Sequence, residues 1–475
     1  MPPGPGRPRP DPLAPRADFG LDLRHRGRGG SMARASRKIW GWWFFDWASQ
    51  PYNTLLITFI FAPYMTELLG SGTAAQTVWG YGIGATGFVI AILAPLLGAV
   101  ADKAGGRMRF IWLFSVMYVV GAWLLWYAAP DNFNVWLVML AFAFGMIGME
   151  FATTFTNAML PDLGPADEIG RISGSGWAFG YLGGMVALIV MLTLLAENGE
   201  GKTLIGIAPI FGLDAAAREG TRSVGPFTAI WYAVFMVPFF LWVREVRRPG
   251  MVSIGTAVRG AWPELRETLR HLPRDRSLFA FLMASMFYRD ALNGIYYFGG
   301  IYAVGVLGWS IISVGIFGIL GTITGATFAW LGGKADDRFG PKPVIIFAVA
   351  VLALVAVGVV FVSRGSVFGF AVGPESKLPD IAFYLIGGLI GAAGGTMQAA
   401  SRSMMVRQAD PAKITESFGL YALTGKATSF IAPLSIGVVT QLSGSQQIGI
   451  TPLVVLFLTG LVLMIWVKPE GEAKA

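Results

Sequence analysis

The sequence predicts an all-α membrane protein with twelve transmembrane helices in two pseudo-symmetric six-helix halves. Three observations carry this. The 475 residues are 54% hydrophobic and only 13% charged, with a mean hydropathy of +0.60. Soluble domains carry about 25% charged residues. Apolar runs long enough to cross a bilayer recur along the whole chain. A loop pattern of glycine, acid and base occurs twice, about half the chain apart.

Residues 1–38 are rich in Pro, Arg and Gly, with almost no large apolar residues, and read as a disordered basic tail. Met32 opens a compact basic stretch and is the expected true start, residues 1–31 being an over-extended gene start. Spans follow at about 40–69, 76–101, 109–129, 134–160, 170–196 and 226–244, within an N-terminal half over 39–245. The middle loop, 246–276, carries Arg247, Arg248, Arg259, Arg266, Arg270, Arg274 and Arg276. Its stretch from Trp262 to Leu272 has a helical period suited to a membrane surface. The C-terminal half, 277–468, holds spans at about 277–305, 309–335, 343–363, 380–408, 415–441 and 448–467, and 469–475 is a tail. Spans beyond about 25 residues imply tilt. Of the 36 Lys and Arg residues, only Lys202, Arg218, Arg222, Arg364 and Lys377 fall in loops on the side away from the termini. Positive charge stays inside, so both termini are expected in the cytoplasm.

Composition excludes several function classes. No cysteine is present, so disulfides, thiol catalysis and cysteine metal sites are out. His25 and His271 both lie outside the spans, which removes an intramembrane histidine metal cluster or relay. No metal, cofactor or enzymatic chemistry is expected. Basic residues sit between spans rather than on one soluble face, so nucleic acid is not an expected partner. The expected partners are a small-molecule solute and membrane lipid. The chain is expected to be a monomer in the plasma (inner) membrane of a prokaryote.

Polar residues in four spans fall on single helical stripes. Asp46, Gln50 and Asn53 share a face of the first span. Glu150, Thr154 and Asn157 do so in the fourth, Arg289, Asn293 and Tyr296 in the seventh, and Gln398 with Arg402 in the tenth. A charge in lipid costs roughly 3 kcal/mol on insertion scales, so such residues face a bundle interior or a water-filled path. Recurrence every third span suggests three-helix repeats around that path. The in-span charges are Asp46, Glu150 and Asp290 against Arg289, Arg402 and Lys426. Arg289 and Asp290 point about 100° apart on a helix. We expect Arg289 toward the path and Asp290 toward a neighbouring helix. Fixed cations suit a substrate carboxylate, and Asp46 or Glu150 suits an ammonium. A zwitterion needs both, although the same pattern also fits a structural charge network. Arg402 lies close to the end of its span and snorkels or gates instead. Proton coupling would use Glu150 or Asp46, carboxyls whose affinity for a proton a dry environment can raise. An interfacial belt accounts for most of Trp40, Trp42, Trp43 and Trp47. Tyr52, Tyr296 and Tyr297 are deeper candidates for the path lining. Gly176, Gly180 and Gly184 read as tight helix packing.

The repeated loop reads Gly98-Ala-Val-Ala-Asp102-Lys103-Ala-Gly105-Gly106-Arg107 after the second span, and Gly333-Lys-Ala-Asp-Asp337-Arg338-Phe-Gly340-Pro-Lys342 after the eighth. It resembles the signature loop of the major facilitator superfamily, which implies that superfamily's fold. It also implies a gating role for Asp102 and Arg107, and for Asp337 and Arg338, in a charge relay that locks the outward-facing state. Gly106 and Pro341 depart from the pattern.

Four further stretches narrow the resemblance. They are Trp43-Phe-Phe-Asp46-Trp47-Ala-Ser-Gln-Pro-Tyr52-Asn53, Asn157-Ala-Met-Leu-Pro161-Asp162, Gly176-Trp177-Ala-Phe-Gly180-Tyr181-Leu-Gly183-Gly184, and Gly394-Gly-Thr-Met-Gln398-Ala-Ala-Ser401-Arg402 with Phe418-Gly-Leu-Tyr421 and Gly425-Lys426. Over roughly residues 40–467 the chain is similar to the vacuole-effluxer-like branch, which groups autophagy-related vacuolar amino-acid effluxers with bacterial relatives. The resemblance implies a secondary-active transporter of a small polar or zwitterionic, amino-acid-like solute, working by alternating access in the efflux direction. A non-transporting membrane sensor or assembly factor on the same scaffold is the alternative.

Overall fold

The computed structural model describes residues 36–471 except 104–105, 131, 158, 160–161, 165, 246–254, 257–274, 374, 409–420, 422–423 and 426. The tail through residue 35, Met32 included, and the stretch from Trp262 to Leu272 lie outside the described residues.

Among the described residues, twelve helical traverses follow one another. The N-terminal six are Arg37–Pro51 with Tyr52–Phe59 and Phe61–Leu69, then Gly72–Lys103, Arg107–Leu124, Val135–Asn157, Ala166–Val190 with Met191–Leu195, and Glu219–Arg222 with Val224–Phe235 and Val237–Trp242. The C-terminal six are Arg276–Leu307, Ile311–Phe339, Pro341–Val360, Leu378–Gln408, Ile431–Ser443, and Gln446–Gly449 with Pro452–Leu463 and Met464–Trp466. Nine of the described helices are long and apolar enough to cross a membrane. The other three traverses have local features of their own. The first is broken, the seventh carries Arg289 and Asp290 at mid-length, and the eleventh is described as a helix only from Ile431 to Ser443.

The break in the first span has a direct cause. Pro51 has no N–H to give the carbonyl of Trp47, four residues back. The indole of Trp231 on the sixth span donates to that carbonyl instead, at 3.1 Å. The chain then widens into a π-helix over Tyr52–Phe59, a form that marks functional positions in many helices. Ile60 N–H donates to the Leu55 carbonyl at 3.0 Å.

Pairing of span ends defines two faces. Both termini of the described chain lie at one, the terminal face, and the opposite one is the distal face. At the distal face the two halves meet closely. The bare Cα positions of Gly300, Gly315 and Gly318 admit Pro63, Leu192 and Phe59 from the other half. Beside them lies a buried polar latch. The Gln76 amide donates to Thr440 Oγ1 at 2.8 Å and to the Gln446 carbonyl at 3.0 Å. The Gln446 amide donates back to Gln76 Oε1 at 3.2 Å. Gln76 and Thr440 are both 0% exposed. Deeper in, spans two and eleven cross backbone to backbone at Gly80 and Gly437.

Losing one partner of a buried amide costs about 1–3 kcal/mol. That is roughly five- to hundred-fold in a balance between two states. Gln446→Leu is therefore expected to loosen the distal seal. The chain has no native cysteine, so a thiol introduced at Leu192 reports alone. Its labelling rate should rise several-fold with Gln446→Leu; an unchanged rate would mean that the latch does not hold the seal.

Trp42 and Trp43 do not form an interfacial belt. Their indoles donate to the Thr156 and Ile172 carbonyls at 3.0 and 2.9 Å, stitching the first span to the fourth and fifth. Tyr52 does not line a path: it is fully buried and donates to the Phe142 carbonyl at 2.7 Å. A small antiparallel sheet, Val362–Ser363, Ser366–Val367 and Phe370–Ala371, joins the ninth and tenth spans. Its strands are too short to leave a sequence signal.

Candidate functional site

The glycine run of the fifth span brings the first span's polar stripe into place. A Cβ at Gly176 would lie 2.6 Å from Asp46 Oδ2, and one at Gly180 would lie 3.1 Å from Asp46 Cβ. A Cβ at Gly184 would meet Gln50 and Thr54. Asp46 and Gln50 thus fill the space that the missing side chains leave. Asp46 Oδ2 is buried without a hydrogen-bond partner, and among the described residues no cation pairs with this carboxylate. Asn53 turns instead to the fourth span, where its amide lies 3.9 Å from Met149 Sδ.

Glu150 is half-buried on the fourth span, one residue beyond Met149. Tyr297 of the seventh span stands within electrostatic reach of both Glu150 and Asp290. The Asn53 contact joins the first span to the fourth, and the close approach of Gly300 to Thr58 and Pro63 joins the seventh to the first. Asn157 ends the fourth helix and is exposed.

The adjacent Arg289 and Asp290 both serve the eleventh span. Asp290 is buried, and its Oδ2 accepts from the Ala432 N–H at 2.9 Å. That donor belongs to the first turn of the helix starting at Ile431, where backbone N–H groups lack partners and attract a carboxylate. Arg289 donates to the Tyr421 carbonyl at 3.2 Å and lies over the Tyr421 ring, 4.4 Å from its centre. Gly425 leaves room for the guanidinium. Lys426 lies outside the described residues.

A second cluster joins the halves nearer the terminal face. Arg402 of the tenth span is exposed, with its guanidinium carbon 5.7 Å from the centre of the Trp177 ring on the fifth. Trp177 and Tyr181 have ring centres 5.8 Å apart. Tyr181 is within electrostatic reach of Arg402 and of Tyr296. The close approach of Gly394 to Tyr296 brings in the tenth span again. Asn293 and Gln398 are half-buried and make no hydrogen bond to another described residue.

The repeated loops are described in part. Gly98 lies in the second helix. The side chains of Asp102 and Asp337, and all of Gly105, lie outside the described residues. Arg107 is buried and pairs with Asp162 at 3.3 Å, while its N–H donates to Glu245 Oε1 at 2.9 Å. It thus ties the start of the third span to the segments that follow the fourth and the sixth. Gly333 has open space around it, Arg338 is exposed over Phe339, and Gly340 ends the eighth helix at φ +82°. The positive φ is a conformation that glycine adopts freely.

Three clusters escaped the sequence reading. One is the Gln76–Gln446 latch. Another is the cross-half contact of Trp177 with Arg402. The third is Arg218, which bonds Glu67 twice at 2.9 Å and Glu197 at 3.0 Å beside a distal cavity of about 580 Å³. Burial pushes the Glu197 carboxyl up from its ordinary range, against the pull of Arg218. Partners scattered over the chain leave no spacing to find.

Residues 68–474 match the family described as Vacuole effluxer Atg22 like. The uncharacterised MFS-type transporter YxiO of Bacillus subtilis is 26% identical over 447 residues, which is 92% of this chain and 96% of that protein. Autophagy-related protein 22 of Cryptococcus neoformans is 25% identical over 295 residues, 60% of this chain and 48% of the fungal protein. The match therefore spans about half the fungal relative's length. Among solved structures, a D-xylose–proton symporter superimposes with a TM-score of 0.66 at 15% identity, over 91% of this chain and 99% of that one. The xylose transporter XylE from E. coli, in a partially occluded inward-open conformation, gives 0.62 at 15% identity, over 90% and 97%. These likenesses establish the major-facilitator fold of twelve helices in two six-helix halves.

Proposed function

This chain belongs to the Atg22-like vacuole effluxer family, and from that premise we propose that it moves a small polar or zwitterionic, amino-acid-like solute outward by alternating access. It is an integral membrane protein of major-facilitator type. One observation carries the proposal: the halves are sealed at the distal face while in-span polar groups converge between them. Asn53 and Glu150 of the first and fourth spans lie behind the latch of Gln76 and Gln446, where the seventh span packs on the first at Gly300. A scaffold needing only rigidity has no use for half-buried amides and carboxyls between its halves, since each costs desolvation.

With both termini cytoplasmic in a prokaryotic plasma membrane, the distal face is the outer one. The described state is then closed to the outside and receives solute from the cytoplasm, which suits efflux. Asp46 is the proposed proton carrier: its carboxyl sits between the first and fifth spans with no cation partner among the described residues. Arg289 links the seventh span to the eleventh, so solute contact there would be felt by both.

The test is counterflow in proteoliposomes with a panel of labelled amino acids. Accumulation by the wild type is expected, and Arg289→Ala should lose at least nine-tenths of it while the folded yield stays near normal. Binding without flux would favour the non-transporting sensor. Loss of folded protein on Arg289→Ala would make that residue structural.

A further inference from the structure

We propose that Arg402, Trp177 and Tyr181 form a selectivity site between the halves, nearer the terminal face, which admits solutes carrying a carboxylate with a flat or aliphatic flank. The inference rests on the transporter reading above and adds which part of the solute is recognised and by what.

Arg402 is six residues before the end of the helix Leu378–Gln408, about 9 Å inward at 1.5 Å per residue. Trp177 and Tyr181 are one helical turn apart on the fifth span, so their rings share a face. That face looks across to the other half, because Arg402 lies over Trp177 and Tyr181 senses both Arg402 and Tyr296. Even so, the two rings are 44% and 45% exposed. Beside the Arg402 contact with the other half, that open surface leaves room for a solute between the halves.

Among the described residues, the Arg402 side chain makes no ion pair and no hydrogen bond; it faces the Trp177 indole. A guanidinium 5.7 Å from a ring centre is drawn to the ring without giving up its N–H donors. Those donors match a carboxylate with two parallel hydrogen bonds. The contrast with its neighbours is informative. Arg289 is engaged with Tyr421, and Arg107 with Asp162. Among the described residues Arg402 keeps its guanidinium donors free of a protein acceptor. The exposed rings of Trp177 and Tyr181 then offer apolar surface beside the anion site, where an amino acid's side chain would lie. A solute so held would touch both halves at once, so its binding would bear on their relative position.

The experiment pairs equilibrium binding with counterflow, using labelled amino acids and the matching amino-acid amides, which lack the carboxylate. The wild type should bind and exchange the acids and reject the amides. Arg402→Gln should raise the KM for the acids roughly ten- to hundred-fold, the range expected for charged hydrogen bonds, and reduce the discrimination against amides. Arg402→Lys should recover part of the affinity, because the charge remains and the fork is lost. Trp177→Ala should weaken acids with bulky side chains more than glycine. Unchanged KM and unchanged discrimination in Arg402→Gln would overturn the inference and leave the transporter reading standing. So would wild-type exchange of amides as readily as acids. Carboxylate-selective binding without flux would do the reverse. Neither binding nor flux across the panel would overturn both.

Discussion

Gly121→Val is expected to abolish the folded protein. A Cβ at Gly121 would lie 2.3 Å from the Gly145 nitrogen, 2.5 Å from its Cα and 2.6 Å from the Ala141 carbonyl oxygen. All three are backbone atoms of the fourth span, so no side-chain rotation relieves the clash. Nearby, a Cβ at Gly148 would lie 2.5 Å from the Tyr118 nitrogen. The third and fourth spans are thus pressed backbone to backbone over two turns, the close approach that small residues permit in membranes. Moving them apart would pull on Tyr118, which stacks on Tyr232 with ring centres 3.9 Å apart. It would also disturb the 2.8 Å bond between Ser115 and Tyr232. Overpacking by one or two methyl groups costs about 1–3 kcal/mol where side chains can give way. Here nothing can, and native stabilities are only about 5–15 kcal/mol. Size-exclusion profiles and thermal melts in detergent read the result. Gly299→Ala is the control, since a Cβ there meets nothing within 4 Å. A Gly121→Val protein melting like the wild type would mean that the two spans do not cross at this point.

Asp46→Asn is expected to uncouple transport from the proton gradient while leaving exchange intact. Asparagine keeps the shape that fits against Gly176 and Gly180 but takes no proton. Among the described residues Asp46 Oδ2 has no hydrogen-bond donor, so the substitution breaks no bond there. In proteoliposomes, counterflow should stay within about two-fold of wild type. Accumulation driven by an imposed pH gradient should vanish. The sign follows from the proposed coupling: a proton bound at Asp46 would travel with the solute cycle, and a neutral amide cannot carry it. Gradient-driven accumulation retained by Asp46→Asn would move the coupling role to another carboxyl, with Glu150 the first to test.

Much of the fold could be read from sequence because hydropathy is a local signal. Long apolar runs mark spans wherever they pack, and the loop repeat around Asp102 and Asp337 marks two halves by itself. Helix stripes were readable in the same way. The spacing of Gly176, Gly180 and Gly184 indicated a close neighbour, though not that Asp46 and Gln50 would be the residues filling the gap. Asp290 was expected to reach a neighbouring helix, and its partner is a backbone N–H at Ala432, a group every residue owns and no motif advertises. The latch of Gln76 with Gln446 was invisible for a related reason. Each glutamine alone is an ordinary polar residue near a span end; only the fold, joining positions 370 residues apart, makes them a pair. Aromatic residues misled in the opposite direction. Trp42 and Trp43 sit where an interfacial belt belongs, yet their indoles are consumed by carbonyls of the fourth and fifth spans.

The central claim is that this chain alternates access around a polar path between its halves. Solute-dependent thiol labelling tests it most directly, because the chain has no cysteine of its own. One thiol replaces Leu192 at the distal seal, and in a second protein one replaces Ser403, beside Arg402 toward the terminal face. The account predicts that a transported amino acid raises the labelling rate at 192 and lowers it at 403, with half-effects at the same solute concentration. Rates at both positions that stay constant while the solute is demonstrably bound would contradict it.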